Sequence, residues 1–356
     1  MEGEERAEVQ RRIMPRFEHG GNVYACPGCM DFSANLNPLG MPASVRSALM
    51  ENVDAFTRYP DPACTDLVAA LAEFERVPRA WVVATAGATD AFERLCQLVK
   101  PREALLCSPC YAGYEQALGR VGSSVTCHAL RAERSFDAGQ ELVDALDQGV
   151  DLAFLANPNN PTGRCLQRDV LVAFLERARR FQTVVALDEC FIDLTECAGS
   201  NDLLADNPSL VIVKAFTKSF ALAGLRIGYA LCADEELVRR LREVGQTWAV
   251  GVPAQIAGVA CASCRKHLCE SRRLVAHERA RLYEALDALR LRVVEGQANF
   301  LLFEGPASLG DDLLARKILI RSCANFSGLG DRWWRIAVRT PEENDELIAA
   351  MGEVLR

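Results

Sequence analysis

Asn160, Asp188 and Lys218 each follow a short apolar run of this chain, and for Lys218 that run is 210–213. Runs of this length that contain β-branched residues are typical of buried strands. Open α/β sheets bind ligands at the carboxyl ends of their parallel strands. We therefore expect an amide, a carboxylate and an amine to meet in one crevice at a sheet edge.

Together these three groups can perform a specific chemistry. An amine can hold an aldehyde covalently, a carboxylate can keep a pyridine nitrogen protonated, and an amide can donate a hydrogen bond to a ring oxygen. Pyridoxal 5'-phosphate needs all three, and its protonated ring stabilises the carbanion left when a bond to a substrate Cα breaks. We predict that Lys218 holds this cofactor and later carries a proton, that Asp188 faces the ring nitrogen, and that Asn160 contacts the ring oxygen.

The cofactor's phosphate group also needs donors. A glycine-containing turn before a helix exposes backbone amides that can face an anion, and a hydroxyl and a guanidinium can add to them. The residues predicted to form this phosphate cup are Gly87, Ala88, Thr89, Thr217 and Arg226.

Tyr111 follows another apolar run and is expected to stack its ring on the pyridine. Each of these residues also has a purely structural interpretation, since an aspartate can cap a helix, an Asn-Pro pair can form a turn and a tyrosine can fill a core edge. Their joint placement at strand ends favours the cofactor site.

The elements that must position these residues alternate along the chain between 81 and 232. Short apolar runs separated by amphipathic stretches are typical of an α/β fold with a mostly parallel sheet. The predicted strands are 80–85, 104–107, 125–128, 152–156, 184–187, 210–213 and 227–231, and helical spacing covers 90–99, 167–180 and 235–244.

The pattern changes after residue 250. A helix-rich stretch to 289 precedes predicted strands at 292–294, 300–303, 318–321 and 334–338 and a last helix from Pro341. At 356 residues the chain exceeds what one hydrophobic core usually supports. We predict an N-terminal arm (1–38), a large cofactor-binding domain (39–244) and a small α+β domain (245–356).

Charge and hydropathy exclude several classes of protein. The chain has 48 acidic against 40 basic residues, a net charge of -8, which disfavours a nucleic-acid-binding surface. The sequence lacks an apolar signal segment at its start and any run approaching the ~20 residues of a membrane helix. We expect a cytoplasmic protein without nucleic-acid or membrane partners.

Fifteen cysteines in such a chain are expected to be reduced thiols and small buried hydrophobic residues. Cys26 and Cys29 have the spacing of half a zinc site, and Cys261, Cys264 and Cys269 could supply more thiolates. No histidine pair completes the ligand spacing, so no metal site is predicted.

The motifs NPNNPTG (157–163), Asp188-Glu189 and TKSFALAGLRIGY (217–229) resemble those of the fold-type-I pyridoxal-phosphate enzymes, in the branch that contains histidinol-phosphate aminotransferases. The resemblance runs from about His19 to the C-terminus. It implies a seven-stranded, mostly parallel sheet in the large domain and a homodimer with active sites at the interface. It also implies that Tyr59, in the pair Tyr59-Pro60, reaches the neighbouring subunit's cofactor phosphate.

Other stretches resemble the subgroup that decarboxylates L-threonine O-3-phosphate to make aminopropanol phosphate for cobalamin. They are HGGN (19–22), DFSANLNPLG (31–40), DECF (188–191), ILIRSCANFSGL (318–329) and RIAVRTPEEN (335–344). An amino acid phosphate carries two anionic groups that need fixed cations or donors. The resemblance implies that Arg335 holds the substrate carboxylate, while Arg321, Arg339 and His19 are candidates for its phosphate and Asn35 lines the entrance.

Several alternatives stay open at the level of sequence. Arg339 could instead pair with Glu342 or Glu343, and His19 could be an ordinary surface histidine. Decarboxylation and transamination share every catalytic residue named, so a histidinol-phosphate aminotransferase is the second interpretation. A phosphoserine decarboxylase, a non-catalytic cofactor-binding module and a redox or metal-linked protein are further alternatives.

The chain also departs from the pattern of the family. Phe191 stands where many aminotransferases have a tyrosine near the ring oxygen, and Cys190 stands where alanine is usual. Cys110 and Lys214 replace a common threonine and arginine, and Ala86 replaces an asparagine before the phosphate cup. These changes leave the predicted catalytic groups in place.

Overall fold

The computed structural model of the chain describes residues 19–355. Seven strands form its central sheet. Residues 1–18 of the predicted N-terminal arm lie outside the described part. The strands in the described part are β1 (Met30–Asp31), β2 (Val82–Thr85), β3 (Glu103–Ser108), β4 (Ser124–Ala129), β5 (Leu152–Ala156), β6 (Val184–Asp188), β7 (Leu210–Ala215), β8 (Gly228–Leu231), β9 (Arg292–Val293), β10 (Phe300–Glu304), β11 (Ile318–Leu319), β12 (Arg321–Ser322) and β13 (Trp333–Ala337).

The central sheet has the order β2-β8-β7-β6-β5-β3-β4, in which only β8 runs antiparallel to its neighbours. The predicted mostly parallel α/β fold is therefore confirmed. All seven predicted strands are present with ends within two residues of those expected. Most of them are buried on both faces and almost continuously apolar, which is why they could be predicted, whereas the edge strand β4 is largely exposed.

Helices cover both faces of this sheet. Alternate residues of β5 enter opposite cores, with Ala153 and Leu155 in one cluster and Leu152 and Phe154 in the other. The α-helices in the described part are α1 (Ala43–Glu51), α2 (Thr65–Glu75), α3 (Ala88–Val99), α4 (Ala112–Arg120), α5 (Gln140–Asp144), α6 (Arg168–Phe181), α7 (Phe216–Ser219), α8 (Glu235–Val244), α9 (Val252–Ala262), α10 (Arg265–Ala288), α11 (Leu309–Leu314) and α12 (Pro341–Val354).

Two smaller sheets complete the structure. Strands β12, β13, β10 and β9 form an antiparallel sheet in that order, and β1 pairs in parallel with β11. The prediction of a single strand at 318–321 is wrong, because the chain leaves one sheet and enters another at Ile320. Ile318 pairs with Met30, whereas Arg321 pairs with Arg335. This change of sheet places two arginines opposite each other.

The long C-terminal segment contacts both parts of the structure. Helix α9, which lies in the predicted small domain 245–356, packs against α1 and α2. Helix α10 contacts β9 and β10 of the antiparallel sheet and α12. The boundary at residue 245 stays a prediction.

Cys165 and Cys197 are joined by a disulfide, and their Cα atoms lie 7.0 Å apart. The expectation of reduced thiols is wrong at these two positions. Both residues lie on loops that follow adjacent parallel strands, β5 and β6, so the sheet brings together cysteines that are 32 residues apart in sequence. The other thirteen cysteines are free.

Within residues 19–355, none of the helices combines the length and the apolar character needed to cross a membrane. Across the same range, histidine, cysteine, aspartate and glutamate side chains form no group of three or more that could hold a metal ion.

Candidate active site

The three polar residues singled out at strand ends line one cavity of about 210 Å³. Asp188 is the last residue of β6, Lys218 lies in the short helix α7 directly after β7, and Asn160 lies in the loop after β5. The cavity is lined by His19, Gly20, Ser33, Ala34, Asn35, Ala88, Thr89, Phe92, Tyr111, Asn160, Asp188, Cys190, Phe191, Ala215, Thr217, Lys218, Arg226, Arg321, Phe326 and Arg335.

The Lys218 amine lies in an environment that favours its neutral form. Burial lowers the pKa of Lys218 to about 8, and the nearby Arg335 guanidinium acts in the same direction. The backbone carbonyl of Lys218 accepts a hydrogen bond from the Asn37 amide at 3.0 Å, which fixes the turn that carries it. A neutral amine in a polar cavity is a nucleophile suited to an aldehyde.

Both oxygens of Asp188 accept hydrogen bonds. The Tyr114 hydroxyl donates to Oδ2 at 2.5 Å, and the Cys190 backbone amide donates to Oδ1 at 2.9 Å. Burial raises the pKa of Asp188, while the Cys190 thiol, the Tyr114 hydroxyl and the Cys190 backbone amide oppose that rise. The carboxylate is thus oriented from two sides at the cavity wall.

The residues predicted to hold the phosphate include the turn that joins β2 to α3. Gly87 has a φ of +89°, and a Cβ added there would lie 2.6 Å from Nη2 of Arg226. Only glycine combines that backbone conformation with so close an approach of the guanidinium. Ala88 and Thr89 begin α3, whose first amides have no partners inside the helix and can face an anion.

Tyr111 lies at the wall of the cavity beside this cup. Its hydroxyl is 3.3 Å from the Thr89 hydroxyl, and its ring lies 5.9 Å from that of His19. Burial lowers the pKa of His19, with Arg321 as the next cause. The structure therefore brings His19 into the cavity and near its cations.

Arg321 and Arg335 face each other across the strand pair β12–β13, and both are buried. Burial lowers the pKa of Arg335 to about 10. Its Nη1 donates to Oδ1 of Asn160, whereas its Nε has no hydrogen-bond partner within the described residues. Arg321 donates to Oδ1 of Asn325 at 2.8 Å. Like charges placed directly opposite each other in a sheet are destabilising, so this pair favours an anionic ligand.

Two predicted site residues lie away from the cavity. Arg339 forms an ion pair with Glu343 at 2.5 Å and donates to the Asp31 carbonyl at 3.2 Å. This is the ion-pair alternative considered from sequence, and a substrate role for Arg339 stays a prediction. Tyr59 is 79% exposed, and its ring stacks on that of Trp248 at 4.6 Å.

Sequence reasoning missed some groups around the cavity. It gave no role to Tyr114, which lies in the first turn of α4 and packs its ring against that of Tyr111, the residue just before the helix. Ser33 and Phe326 line the cavity too, and the Ser33 carbonyl accepts a hydrogen bond from Arg335 at 3.0 Å. Backbone carbonyls leave no signal in a sequence, so that contact could not be predicted.

The donor set fits pyridoxal phosphate. A lysine with a lowered pKa, a carboxylate held by two donors, and a glycine turn closed by an arginine all line or border one cavity. Lys218 would hold the aldehyde, Asp188 would face the ring nitrogen, and the turn at Gly87 with Arg226 would receive the phosphate.

Comparisons with known proteins agree with this geometry. The family model described as aminotransferase class I and II matches residues 27–351. Threonine-phosphate decarboxylase from Salmonella typhimurium is 36% identical over 350 residues, which cover 95% of this chain and 96% of that protein. Histidinol-phosphate aminotransferase 2 from Ralstonia nicotianae is 34% identical and covers 91% of this chain and 88% of its own. The crystal structure of the histidinol-phosphate aminotransferase from Clostridium acetobutylicum superposes with a TM-score of 0.86 at 27% identity, covering 91% of this chain and 98% of that one.

Proposed function

Because the chain belongs to the aminotransferase class I and II family and is a pyridoxal-phosphate-dependent enzyme, we propose that it decarboxylates L-threonine O-3-phosphate. The products are carbon dioxide and (R)-1-aminopropan-2-yl phosphate, a precursor for cobalamin biosynthesis. Similarity to the Salmonella typhimurium threonine-phosphate decarboxylase supports this reaction. The structural observation that carries it is the pair of buried arginines, Arg321 and Arg335, beside Lys218 in one cavity.

The charges of the cavity match those of the proposed substrate. An amino acid phosphate brings a carboxylate and a phosphate group, and each can take a planar guanidinium in two parallel hydrogen bonds. Arg335 acts directly on the pKa of Lys218, so it is the arginine suited to the carboxylate next to the reacting Cα. Arg321 and His19 are then left for the phosphate group, with Asn35 at the cavity wall.

The bound cofactor supplies a protonated aromatic ring that accepts the electron pair released at the substrate Cα. Asp188 would keep the proton on the ring nitrogen, and Asn160 would contact the ring oxygen. Loss of carbon dioxide leaves an electron pair at the substrate Cα, and Lys218, freed from the cofactor and in its ammonium form, would deliver the proton that Cα takes up. The rings of Phe191 and Phe326 line the cavity and limit the access of water to that proton.

The second candidate function is transamination of histidinol phosphate. It is favoured by relatives such as the Ralstonia nicotianae protein, whose identity is nearly as high. Both reactions use the same lysine, aspartate and arginines, and they differ in which Cα bond is held perpendicular to the cofactor ring. Only the products separate the two.

A substrate panel tests the proposal. Purified enzyme is incubated with L-threonine O-3-phosphate, and carbon dioxide and the amine phosphate are quantified. L-serine O-phosphate and unphosphorylated L-threonine are matched controls, and histidinol phosphate with 2-oxoglutarate tests transamination. We expect turnover of phosphothreonine, with a KM far below that for threonine. Turnover of histidinol phosphate alone would overturn the proposed reaction.

We further propose that the enzyme works as a homodimer, because the exposed rings of Tyr59 and Trp248 stack on each other at the surface. Exposed groups of this kind mark surfaces that bind partners. In the resembling family, the residue at this position serves the neighbouring subunit's cofactor. The exposed large hydrophobic side chains are Val23, Tyr24, Leu39, Met50, Val53, Phe56, Tyr59, Trp248 and Val259.

Light scattering after size-exclusion chromatography gives the mass of the assembly, and a monomer would contradict the dimer. If the dimer forms, Tyr59→Phe is expected to weaken cofactor binding without changing that mass. Tyr24→Phe, at another exposed tyrosine, serves as its control.

A further inference from the structure

Tyr114 is buried, with 2% of its surface exposed, and its hydroxyl donates to Oδ2 of Asp188 at 2.5 Å. Burial, together with the charge of Asp188, raises the pKa of Tyr114 well above its usual value. The phenol therefore stays protonated at any working pH and remains a donor. The carboxylate that faces the cofactor's ring nitrogen thus has a permanent neutral donor behind it.

Aromatic contacts hold the tyrosine ring in place. It stacks on Phe154 at 5.0 Å and 17°, and meets Phe92 and Tyr111 edge-on at 5.0 Å and 5.4 Å. A ring enclosed on three sides cannot shift, so its hydroxyl oxygen stays beside Asp188. The position of that donor is set by the core between α4 and β5.

We propose that Tyr114 is a positioning residue that holds Asp188 as an oriented carboxylate and thereby keeps the cofactor's ring nitrogen protonated. Burial alone favours the neutral acid at Asp188. The hydroxyl of Tyr114 and the amide of Cys190 oppose that effect by stabilising the anion. Without the hydroxyl, the proton moves toward Asp188, and a neutral ring accepts electrons less readily.

This inference rests on the cofactor dependence of the family and not on the proposed substrate. Tyr114→Phe removes one hydroxyl and keeps the ring. The matched control is Tyr229→Phe, because Tyr229 is also wholly buried and its hydroxyl also donates to a buried carboxylate, Glu75, at 2.5 Å. Glu75 is not among the residues that line the cavity.

Three readouts on the holoenzyme test the role. For Tyr114→Phe we expect kcat to fall about 10- to 100-fold with KM within about threefold, as for a lost hydrogen bond to a charged group. We expect the visible absorbance transition of the bound cofactor to move to higher pH by about half a unit to one unit, since a neutral ring repels the proton at Lys218 Nζ less. The dissociation constant of pyridoxal phosphate should rise several-fold.

Tyr229→Phe should leave the absorbance transition, the dissociation constant and kcat near their wild-type values even where it lowers Tm. A Tyr114→Phe enzyme with the wild-type transition and dissociation constant would overturn the inference. If that variant does not fold, Tyr114→Met, which also lacks a donor, is measured in its place beside Tyr114→His, whose ring N–H can donate. A transition moved to higher pH in Tyr114→Met but near its wild-type position in Tyr114→His supports the need for a donor, and a wild-type transition in Tyr114→Met overturns it. The absorbance and binding readouts need no substrate, so failure of the proposed decarboxylation leaves them interpretable.

Discussion

The lowered pKa of Lys218 predicts how fast the apoenzyme captures its cofactor at different pH values. Only the neutral amine attacks an aldehyde. Because burial lowers the pKa of Lys218 to about 8, about one amine in eleven is neutral at pH 7, against about one in three thousand for a lysine of ordinary pKa. Between pH 7 and pH 9 the neutral fraction rises about tenfold here and about a hundredfold for an ordinary lysine.

Stopped-flow absorbance measures this capture after apoenzyme is mixed with pyridoxal phosphate at pH 7, 8 and 9. The same series with Nα-acetyl-lysine removes the contribution of titration of the free cofactor. Borohydride reduction followed by peptide mass spectrometry verifies that the adduct lies on Lys218. The ratio of the protein's capture rate to that of the model amine should therefore fall about tenfold between pH 7 and pH 9.

Changing Arg335 tests the second cause of the lowered pKa. Arg335→Met removes a positive charge near the amine, so the pKa of Lys218 should rise. A rise of one unit would slow capture about tenfold at pH 7 but only about twofold at pH 9. Arg321→Met is the matched control, because Arg321 lies opposite Arg335 and is not among the largest causes of the Lys218 shift. A hundredfold gain in the wild-type protein, or equal slowing in both variants, would refute the reasoning.

Three further predictions concern stability and cofactor binding. The pKa of Lys218 is 10.5 in the unfolded chain and about 8 in the folded one, so protonation of this amine destabilises the folded state below pH 10.5. Lys218→Met should therefore stabilise the apoenzyme by up to about 3 kcal/mol at pH 7, and this gain should disappear as the pH rises to about 10.5. Urea unfolding measures it. Lys214 lies in a buried ion pair with Glu75 at 2.8 Å and within 3.6 Å of a second buried carboxylate, Glu189, so Lys214→Met should cost about 3–5 kcal/mol in thermal unfolding, because it leaves both carboxylates without their cation. Gly87→Ala puts a side chain on a residue with φ +89° and against the Arg226 guanidinium. The dissociation constant of the cofactor should therefore rise at least about tenfold in an absorbance titration. Gly119→Ala, where an added Cβ meets open space, should leave that constant unchanged.

The parts of the fold that follow from local pattern could be predicted. Three continuously apolar strands end at or just before Asn160, Asp188 and Lys218. Because these strands pair in parallel, their carboxyl ends lie at one edge of the sheet. The turn at Gly87 was predictable for the same reason, since it and the helix after it are adjacent in the sequence, while its role in holding a phosphate stays a prediction. Local residue types carried this information without any knowledge of long-range contacts.

The parts that depend on long-range packing could not be predicted. The disulfide between Cys165 and Cys197 forms because two loops end side by side, and neither cysteine has a distinguishing neighbour in the sequence. The bond from Tyr114 to Asp188 joins residues 74 positions apart through the helix-to-sheet packing. An apolar pattern predicts which face of a helix is buried, but not which single polar atom a buried hydroxyl will meet.

The arginine pair shows why the register of a sheet matters to function. The stretch 318–321 reads as one strand, yet the chain leaves the β1–β11 pair after Leu319 and joins β13 at Arg321. A shift of one residue would turn Arg321 to the opposite face of the sheet and separate the two guanidiniums. Two fixed cations can hold a substrate with two anionic groups at both ends, whereas a substrate with one such group can rotate about a single anchor. The reaction of a pyridoxal-phosphate enzyme depends on which Cα bond is held perpendicular to the ring. If Arg321 and Arg335 hold the two anionic groups of the substrate, as we propose, that choice rests on the register that sets Arg321 opposite Arg335.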